Sequence, residues 1–236
     1  MSCAGVLKEI QGNIESFQIM DTTSRVRPRI QWSGRIGVAV LGRFPLPPDT
    51  FLRAAYRLLG AAADASHEGR RSASFAYRAA DGAVLVTWGD LLGVLLRLPL
   101  PTACVPVPTP ASTRGRATVA FRHLTPTLLK RRGGPKVPWF DPEGYAAALA
   151  GVLGIAGATV SLEEAGREVR FVRVRAEPAV WDLGRGTVRG FVGEVVANVP
   201  AAWAGTLRAA RFTGLGCKRA WGMGNVDVMV LSAKGV

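Results

Sequence analysis

Apolar residues in this chain gather in short runs broken by glycine, proline and charge, and the spacing within each run predicts an element. Ile36-Gly37-Val38-Ala39-Val40-Leu41 is a continuous apolar stretch of strand length, as expected of a strand buried on both faces. Pro45-Leu46-Pro47-Pro48-Asp49 then turns the chain, and Asp49 or Thr50 can cap a helix over 51–59. In that helix Leu52, Ala55, Tyr56 and Leu59 share one face. The run from Gly60 to Gly69 reads as weak helix or loop. Two short strands follow near 74–78 and 83–88, with Asp81-Gly82 as the turn between them. Residues 91–98 fit a short amphipathic helix or a buried strand. Pro99 to Pro110 holds five prolines in twelve residues, a density that predicts an irregular interdomain linker.

The second half repeats this order. Residues 117–123 form a strand pattern, and Lys130 to Pro138 (KRRGGPKVP) is a basic loop. Asp141-Pro142 opens a helix that runs towards Leu153, with proline in its first turn. Val169, Phe171 and Val172 alternate with arginines over 167–175, and 187–196 is another strand. Pro200 starts a helix that reaches about Phe212. A loop over 214–224 and a closing strand over 226–231 complete the chain. Each half approximates βαββ plus further elements, although no residue-level repeat relates them. The predicted fold is therefore α+β, with two ferredoxin-like (RRM-like) domains in tandem and a C-terminal glycine-rich loop. The expected boundaries are an unassigned extension over 1–34, a first domain over 35–98, the proline-rich linker over 99–116, and a second domain over 117–236.

Charge narrows the function. Thirty basic against 17 acidic residues give a net charge of +13 over 236 residues, which attracts phosphate-rich partners. Twenty-five of the thirty are arginine, whose planar fork grips phosphate and stacks on bases. Cys3, Cys104 and Cys217 are far apart and odd in number, so neither a disulfide framework nor a zinc site is expected, and no metal or cofactor is assigned. Lys8, Glu9 and Glu15 stand where a secretory signal would be apolar, and Asp90 and Arg97 interrupt the most apolar stretch. The expectation is a soluble, cytoplasmic protein with no membrane partner.

The loop Phe212-Thr213-Gly214-Leu215-Gly216-Cys217-Lys218-Arg219-Ala220-Trp221-Gly222-Met223-Gly224 carries the most specific signal. Gly214, Gly216, Gly222 and Gly224 frame two adjacent cations, Lys218 and Arg219. Glycines let backbone N–H groups close on an anion, and the cations add charge. A helix precedes this loop and a strand follows it, the reverse of the dinucleotide-binding fingerprint.

GLGCKRAWGMG before a final strand resembles the C-terminal glycine-rich loop of the repeat-associated RNA-binding superfamily. Gly190-Phe191-Val192-Gly193 resembles the segment that precedes it there. Phe44-Pro45-Leu46-Pro47 with Ala55-Tyr56-Arg57 is similar to the first strand and helix of the CRISPR repeat-RNA processing endoribonucleases. Ala65-Ser66-His67-Glu68-Gly69 resembles the loop in which many of them carry a catalytic histidine, and Leu124-Thr125-Pro126-Thr127 resembles their Ser-Pro-Thr segment. The resemblance spans roughly residues 35 to 232. It implies metal-independent cleavage of CRISPR repeat RNA to crRNA, with the product retained. It also implies partnership with the other subunits of a CRISPR effector complex.

Such cleavage needs the 2′-OH to attack its own phosphate, leaving a 2′,3′-cyclic phosphate and a 5′-OH. It needs a base for the 2′ proton and a cation for the developing charge. His67 is the candidate base, Arg70 or Arg71 the stabilising cation, and Tyr56 a residue that positions the nucleophile or protonates the leaving oxygen. Tyr56 also fits simple packing on the apolar helix face, and His123, ending an apolar strand, reads as structural. An arginine-dominated centre built on Arg35 or the Arg25–Arg29 cluster is an alternative. Arg53 and Arg57, four apart on one helical side, and Lys130, Arg131 and Arg132 are expected to contact RNA along with the glycine loop. A non-catalytic crRNA-binding subunit and an unrelated basic RNA-binding protein remain open as other readings.

Overall fold

The computed structural model describes residues 34–60, 62, 75–108, 110, 114–131 and 133–234. His67, Arg70, Arg71, Arg132 and the Arg25–Arg29 cluster lie outside the described residues, as does all of the 1–34 extension but Gly34.

The first half runs β1 (Arg35–Gly42), α1 (Pro48–Leu59), β2 (Phe75–Arg78), β3 (Ala83–Trp88), α2 (Asp90–Leu95) and β4 (Thr102–Pro106). Its sheet has the order β2-β3-β1-β4, every neighbouring pair antiparallel. This βαββαβ order in an antiparallel sheet is the ferredoxin-like arrangement that the pattern predicts. The apolar run of β1 serves two faces at once. Ile36 and Val38 enter the core shared with the second half, while Ala39 packs with Phe51, Ala55 and Leu59 of α1. Phe51 stacks on Tyr77 of β2, with ring centroids 3.8 Å apart.

The proline-rich stretch corrects the expectation of an irregular linker. Thr102 to Pro106 pairs with β1, from Ala39↔Thr102 to Arg35↔Pro106. The strand sits at the sheet edge, where a missing N–H can face outward, and its only proline is its last residue.

The second half runs β5 (Arg116–Thr127), a small hairpin of β6 (Leu129–Lys130) and β7 (Lys136–Val137), then α3 (Pro142–Ile155) and α4 (Leu162–Glu168). It continues with β8 (Arg170–Asp182), β9 (Thr187–Pro200), α5 (Ala201–Leu207), α6 (Ala210–Thr213) and β10 (Val226–Lys234). Its sheet order, β10-β5-β9-β8, reproduces that of the first half. Asp141 caps α3 by accepting the Gly144 N–H at 2.7 Å, as its place before Pro142 predicts. The pattern reading missed α4, although its signal is present: Ser161 accepts the N–H of Glu164, a Ser-x-x-Glu start. It also ended β9 too early and drew one helix after Pro200 where the structure has two short ones.

One apolar cluster serves both halves. It joins Ile36, Val84 and Val86 of the first sheet to Leu149 and Leu153 of α3, Leu207 and Ala210, and Val119, Phe121 and Val195 of the second sheet. A buried polar clasp is added where β10 begins. The Asn225 side-chain amide donates to the backbone carbonyl of Tyr77 in β2 at 2.9 Å. Removing a buried donor strands its acceptor, at a cost of about 1–3 kcal/mol. Asn225→Ala should therefore lower the unfolding free energy by an amount in that range, seen as a lower urea midpoint with an unchanged slope of the transition. An unchanged midpoint would mean that the clasp contributes nothing to stability.

Candidate functional site

The glycine loop leaves α6 at Thr213 and enters β10 at Val226, and its path is dictated by a short segment at the end of β5. The β5–β9 pairing is interrupted between His123 and Thr127, so residues 124–128 turn their backbone polar groups towards the loop. Cys217 N–H donates to the Leu128 carbonyl at 2.7 Å and Gly224 N–H to the Pro126 carbonyl at 3.0 Å. Thr125 Oγ1 donates to the Gly222 carbonyl and accepts the Asn225 N–H. Within the loop, Leu215 N–H donates to the Gly224 carbonyl at 2.8 Å.

Backbone lies this close to backbone only without side chains in between. A Cβ on Gly216 would collide with the Leu128 carbonyl, and one on Gly224 with that of Leu215; both residues also have positive φ. The cradle is itself pinned from below. His123 Nδ1 lies 2.6 Å from Thr127 Oγ1, and His123 Nε2 lies 3.0 Å from the Tyr145 hydroxyl of α3. Burial holds the His123 pKa down to about 3, so the imidazole is neutral and structural.

Beyond Cys217 the loop turns sharply. Lys218 adopts the left-handed conformation (φ 57°), the only non-glycine residue to do so among the described residues. A single 3₁₀ turn, Arg219–Trp221, then packs against the first half, with Ala220 buried beside Phe51 and Tyr77. The two adjacent cations part company here. The Arg219 guanidinium lies 4.9 Å from the ring centroid of Trp88 on β3, and burial pulls its pKa down to about 10. Lys218 points to the loop's own Trp221, its Nζ 5.7 Å from the ring centroid. Arg185, at the tip of the β8–β9 hairpin, lies 4.7 Å from the same ring. Trp181 of that hairpin donates its indole N–H to the Trp221 carbonyl at 2.8 Å.

Cations collect around this turn. Lys218 is held below its ordinary pKa first by burial, then by Lys136 and Arg185. Burial pushes the Cys217 thiol up, against the opposing pull of Lys136, Lys130, Arg219 and Lys218. The β6–β7 hairpin and the glycine loop therefore present one cationic cluster. It borders a groove of about 180 Å³ whose other wall is the small-residue face of α3, Gly144, Ala147, Ala148 and Gly151. A larger, open hollow of about 560 Å³ lies on the second sheet near Arg122, Arg175, Glu177 and Glu194. Among the described residues, no three His, Cys, Asp or Glu come together as a metal-ligand set, and no helix is long and apolar enough to cross a membrane.

The structure brings Gly214, Gly216, Gly222, Gly224, Lys218 and Lys130 into one region, and places Arg219 there as a half-buried residue stacked on Trp88. Arg131 is committed to Asp141, its Nε donating to Oδ1 at 3.0 Å. Arg53 pairs with Asp49 at 3.0 Å, and Arg57 is exposed on the same helix. Gly184 of the β8–β9 hairpin lies against Asp49, so this end of α1 adjoins the hairpin tip. Tyr56 packs edge-on to Phe75 at 5.9 Å, on the apolar side of α1. Arg35 begins β1 near Cys104 of β4, at the same end of the first sheet as Phe75. Sequence reasoning missed Lys136, Trp221 and Arg185 as site residues. Lys136 stood inside the basic KRRGGPKVP run and Trp221 inside the glycine loop; only Arg185, between two hairpin glycines, gave no usable signal.

Residues 121–226 match the model of the family described as CRISPR-associated endoribonuclease Cas6. The match includes the cradle, the α3 cap, the β8–β9 hairpin and the glycine loop. No curated protein matches the chain in sequence. Among solved structures, the fold is similar to that of Thermus thermophilus Cas6, at 21% identity and a TM-score of 0.56, covering 84% of this chain and 99% of that one. It is also similar to a Cas6 solved as a product complex, at 20% identity and a TM-score of 0.59, covering 84% and 99%. The same protein in a substrate-mimic complex gives 19% identity and a TM-score of 0.56, covering 83% and 98%. The resemblance read from the glycine loop thus holds: the chain is Cas6-like in the sequence of its second half and in its tandem ferredoxin-like fold.

The Arg131–Asp141 pair makes the α3 start, and with it one wall of the groove, sensitive to acid. Asp141 is buried, and the hydrogen bond from Arg131 holds its carboxyl below the usual range, with help from the Gly144 N–H. A carboxyl depressed on folding contributes stability that is complete above its unfolded pKa of about 4 and is lost as pH falls through the folded value. Asp141→Asn keeps a capping oxygen but loses the charge. It should lower stability at pH 7 by up to ~1 kcal/mol, since Arg131 is half exposed, and flatten the decline below about pH 4. Parallel acid limbs in wild type and variant, followed by thermal unfolding, would contradict this.

Proposed function

We propose that this protein is an endoribonuclease that cleaves CRISPR repeat RNA without a metal ion and keeps hold of the crRNA product. The observation that carries the reading is the cationic cluster of Lys130, Lys136 and Lys218 around a glycine loop, inside the segment that matches the Cas6 family. A chain of net charge +13 that sets Lys130 and Lys136 of the β6–β7 hairpin beside a loop carrying Lys218 is suited to a polyphosphate strand.

In the proposed reaction the ribose 2′-OH loses its proton to His67 and its oxygen bonds to the adjacent phosphorus. The bond from phosphorus to the 5′ oxygen breaks, and the leaving oxygen takes a proton from Tyr56 or from the imidazolium. The products are a 2′,3′-cyclic phosphate and a 5′-OH, with Arg71 neutralising the phosphorane. Tyr56 lies in the last turn of α1, which ends at Leu59, and His67 comes eight residues later in the sequence. Arg35, which begins β1, is the competing centre: its guanidinium can orient the 2′-OH but, as a donor with no acceptor, cannot serve as its base.

The test is single-turnover cleavage of repeat RNA in chelator, comparing wild type, His67→Ala and Arg35→Ala. Wild type should cleave and leave a cyclic phosphate end, with a rate that rises through one ionisation between about pH 6 and 8 and then levels. His67→Ala should be ~10²–10⁴-fold slower with binding preserved. Cleavage that needs a divalent ion would overturn metal independence, and wild-type rates in His67→Ala would overturn the histidine base. Binding without cleavage by wild type would leave a non-catalytic crRNA-binding subunit.

A further inference from the structure

Two cations meet at Trp221 without an ion pair among the described residues. Arg185 and Lys218 both lie over its indole, at 4.7 and 5.7 Å from the ring centroid. Of the nearby carboxylates, Asp49 pairs with Arg53, and Asp182 accepts the backbone N–H of Gly184 rather than pairing with Arg185. Two like charges converging on one ring repel each other, and the Trp221 quadrupole offsets only part of that cost. Lys218 also holds a left-handed backbone that is unfavourable for a non-glycine residue. Unneutralised charge and backbone strain at one residue are features that a ligand can relieve.

The ring itself is held ready. Its backbone carbonyl is fixed by the Trp181 indole N–H, and Gly222 behind it lies against Tyr77 too closely for a side chain. Trp221 is half-buried, whereas Arg185 is exposed on a hairpin tip between Gly184 and Gly186. One side of the site is thus rigid and aromatic, and the other is a guanidinium on a narrow turn.

We infer that Trp221 and Arg185 form a stacking site for one unpaired nucleobase of the bound RNA, with the phosphate of the same nucleotide on Lys218 and Lys136. This rests on the RNA-binding reading above and assigns it a base contact. A nucleotide suits both halves of the site, because it combines a flat π-face with a negative charge a few ångströms away. Indole and guanidinium are the two kinds of plane on which splayed bases stack. Stacking tolerates every base, so the site selects an unpaired nucleotide by its position in the repeat rather than by its identity.

The test is an abasic scan. Repeat RNAs, each lacking one base, are titrated with wild type, Trp221→Ala and Arg185→Ala. Wild type should lose about 5- to 150-fold in affinity at one unpaired position, the usual worth of one base–aromatic stack. That loss should vanish in Trp221→Ala and shrink in Arg185→Ala, while the salt dependence of Trp221→Ala stays that of wild type. Lys218→Ala should instead flatten the salt dependence, its logarithmic slope falling by ~0.7 for each single-strand phosphate no longer neutralised. If Trp221→Ala fails to fold, Arg185→Ala, an exposed hairpin residue, decides alone. An abasic profile in Arg185→Ala identical to that of wild type, or no sensitive position in wild type, would overturn the stacking site. Failure of wild type to prefer repeat RNA over unrelated RNA would overturn the RNA reading on which it stands.

Discussion

The structure depends on one contact of backbone with backbone: the glycine loop lying on residues 124–128. Four polar groups of that short segment, the carbonyls of Pro126 and Leu128 and both functions of the Thr125 hydroxyl, are committed to the loop and its exit. The exchange is possible because β5 breaks its pairing with β9 there, which frees those groups, and because Gly216 and Gly224 remove the atoms that would intervene. Satisfying buried backbone groups is obligatory, so the loop cannot drift without leaving several of them unpaired. Everything that the loop presents takes its position from this docking: the left-handed turn at Lys218, the 3₁₀ turn on the first half, and the indole of Trp221.

The same contact explains why the cations are arranged as they are. A loop fixed at Cys217 and Gly224 has few residues in which to reverse, and Lys218 and Arg219 are sent in different directions by the turn. Arg219 goes inward to Trp88 and joins the halves, where its weakly hydrated guanidinium loses less on burial than an ammonium would. Lys218 remains with Lys130 and Lys136, which the β6–β7 hairpin delivers from the strand that cradles the loop. Lys130 and Arg219 line the groove beside the small-residue face of α3, while Lys218 sits at Trp221. A groove with cationic edges and no bulky side chain on its α3 wall suits close approach of a phosphate backbone.

Much of this was legible in the chain. The apolar run of β1, the Asp141-Pro142 helix start and the Asp81-Gly82 turn each encode a local preference, and each appears where the pattern puts it. Tandem ferredoxin-like order followed from the spacing of such elements. The prolines of 99–110 misled because proline's cost depends on which side of a strand faces solvent, and an edge strand against β1 is a tertiary fact. At the site, the glycines and Lys218 were readable, since a turn that needs positive φ leaves its mark in composition. The division of labour between Lys218 and Arg219 was not readable, because adjacent cations look equivalent until Trp88 and Trp221 are placed. Arg131 illustrates the same limit: nothing local distinguishes a phosphate ligand from the partner of Asp141 ten residues later.

The central claim, that RNA lies on the lysines of the loop and hairpin, is made unusually easy to test by the chain's composition. Only five lysines occur in 236 residues: Lys8, Lys130, Lys136, Lys218 and Lys234. Acylation of amines in the free protein and in its complex with repeat RNA, read residue by residue by mass spectrometry, follows each of them separately. The predicted result is strong protection of Lys130, Lys136 and Lys218 by RNA, with Lys8 and Lys234 modified as in the free protein. Unchanged modification of Lys218 and Lys136 in a saturated complex would contradict it.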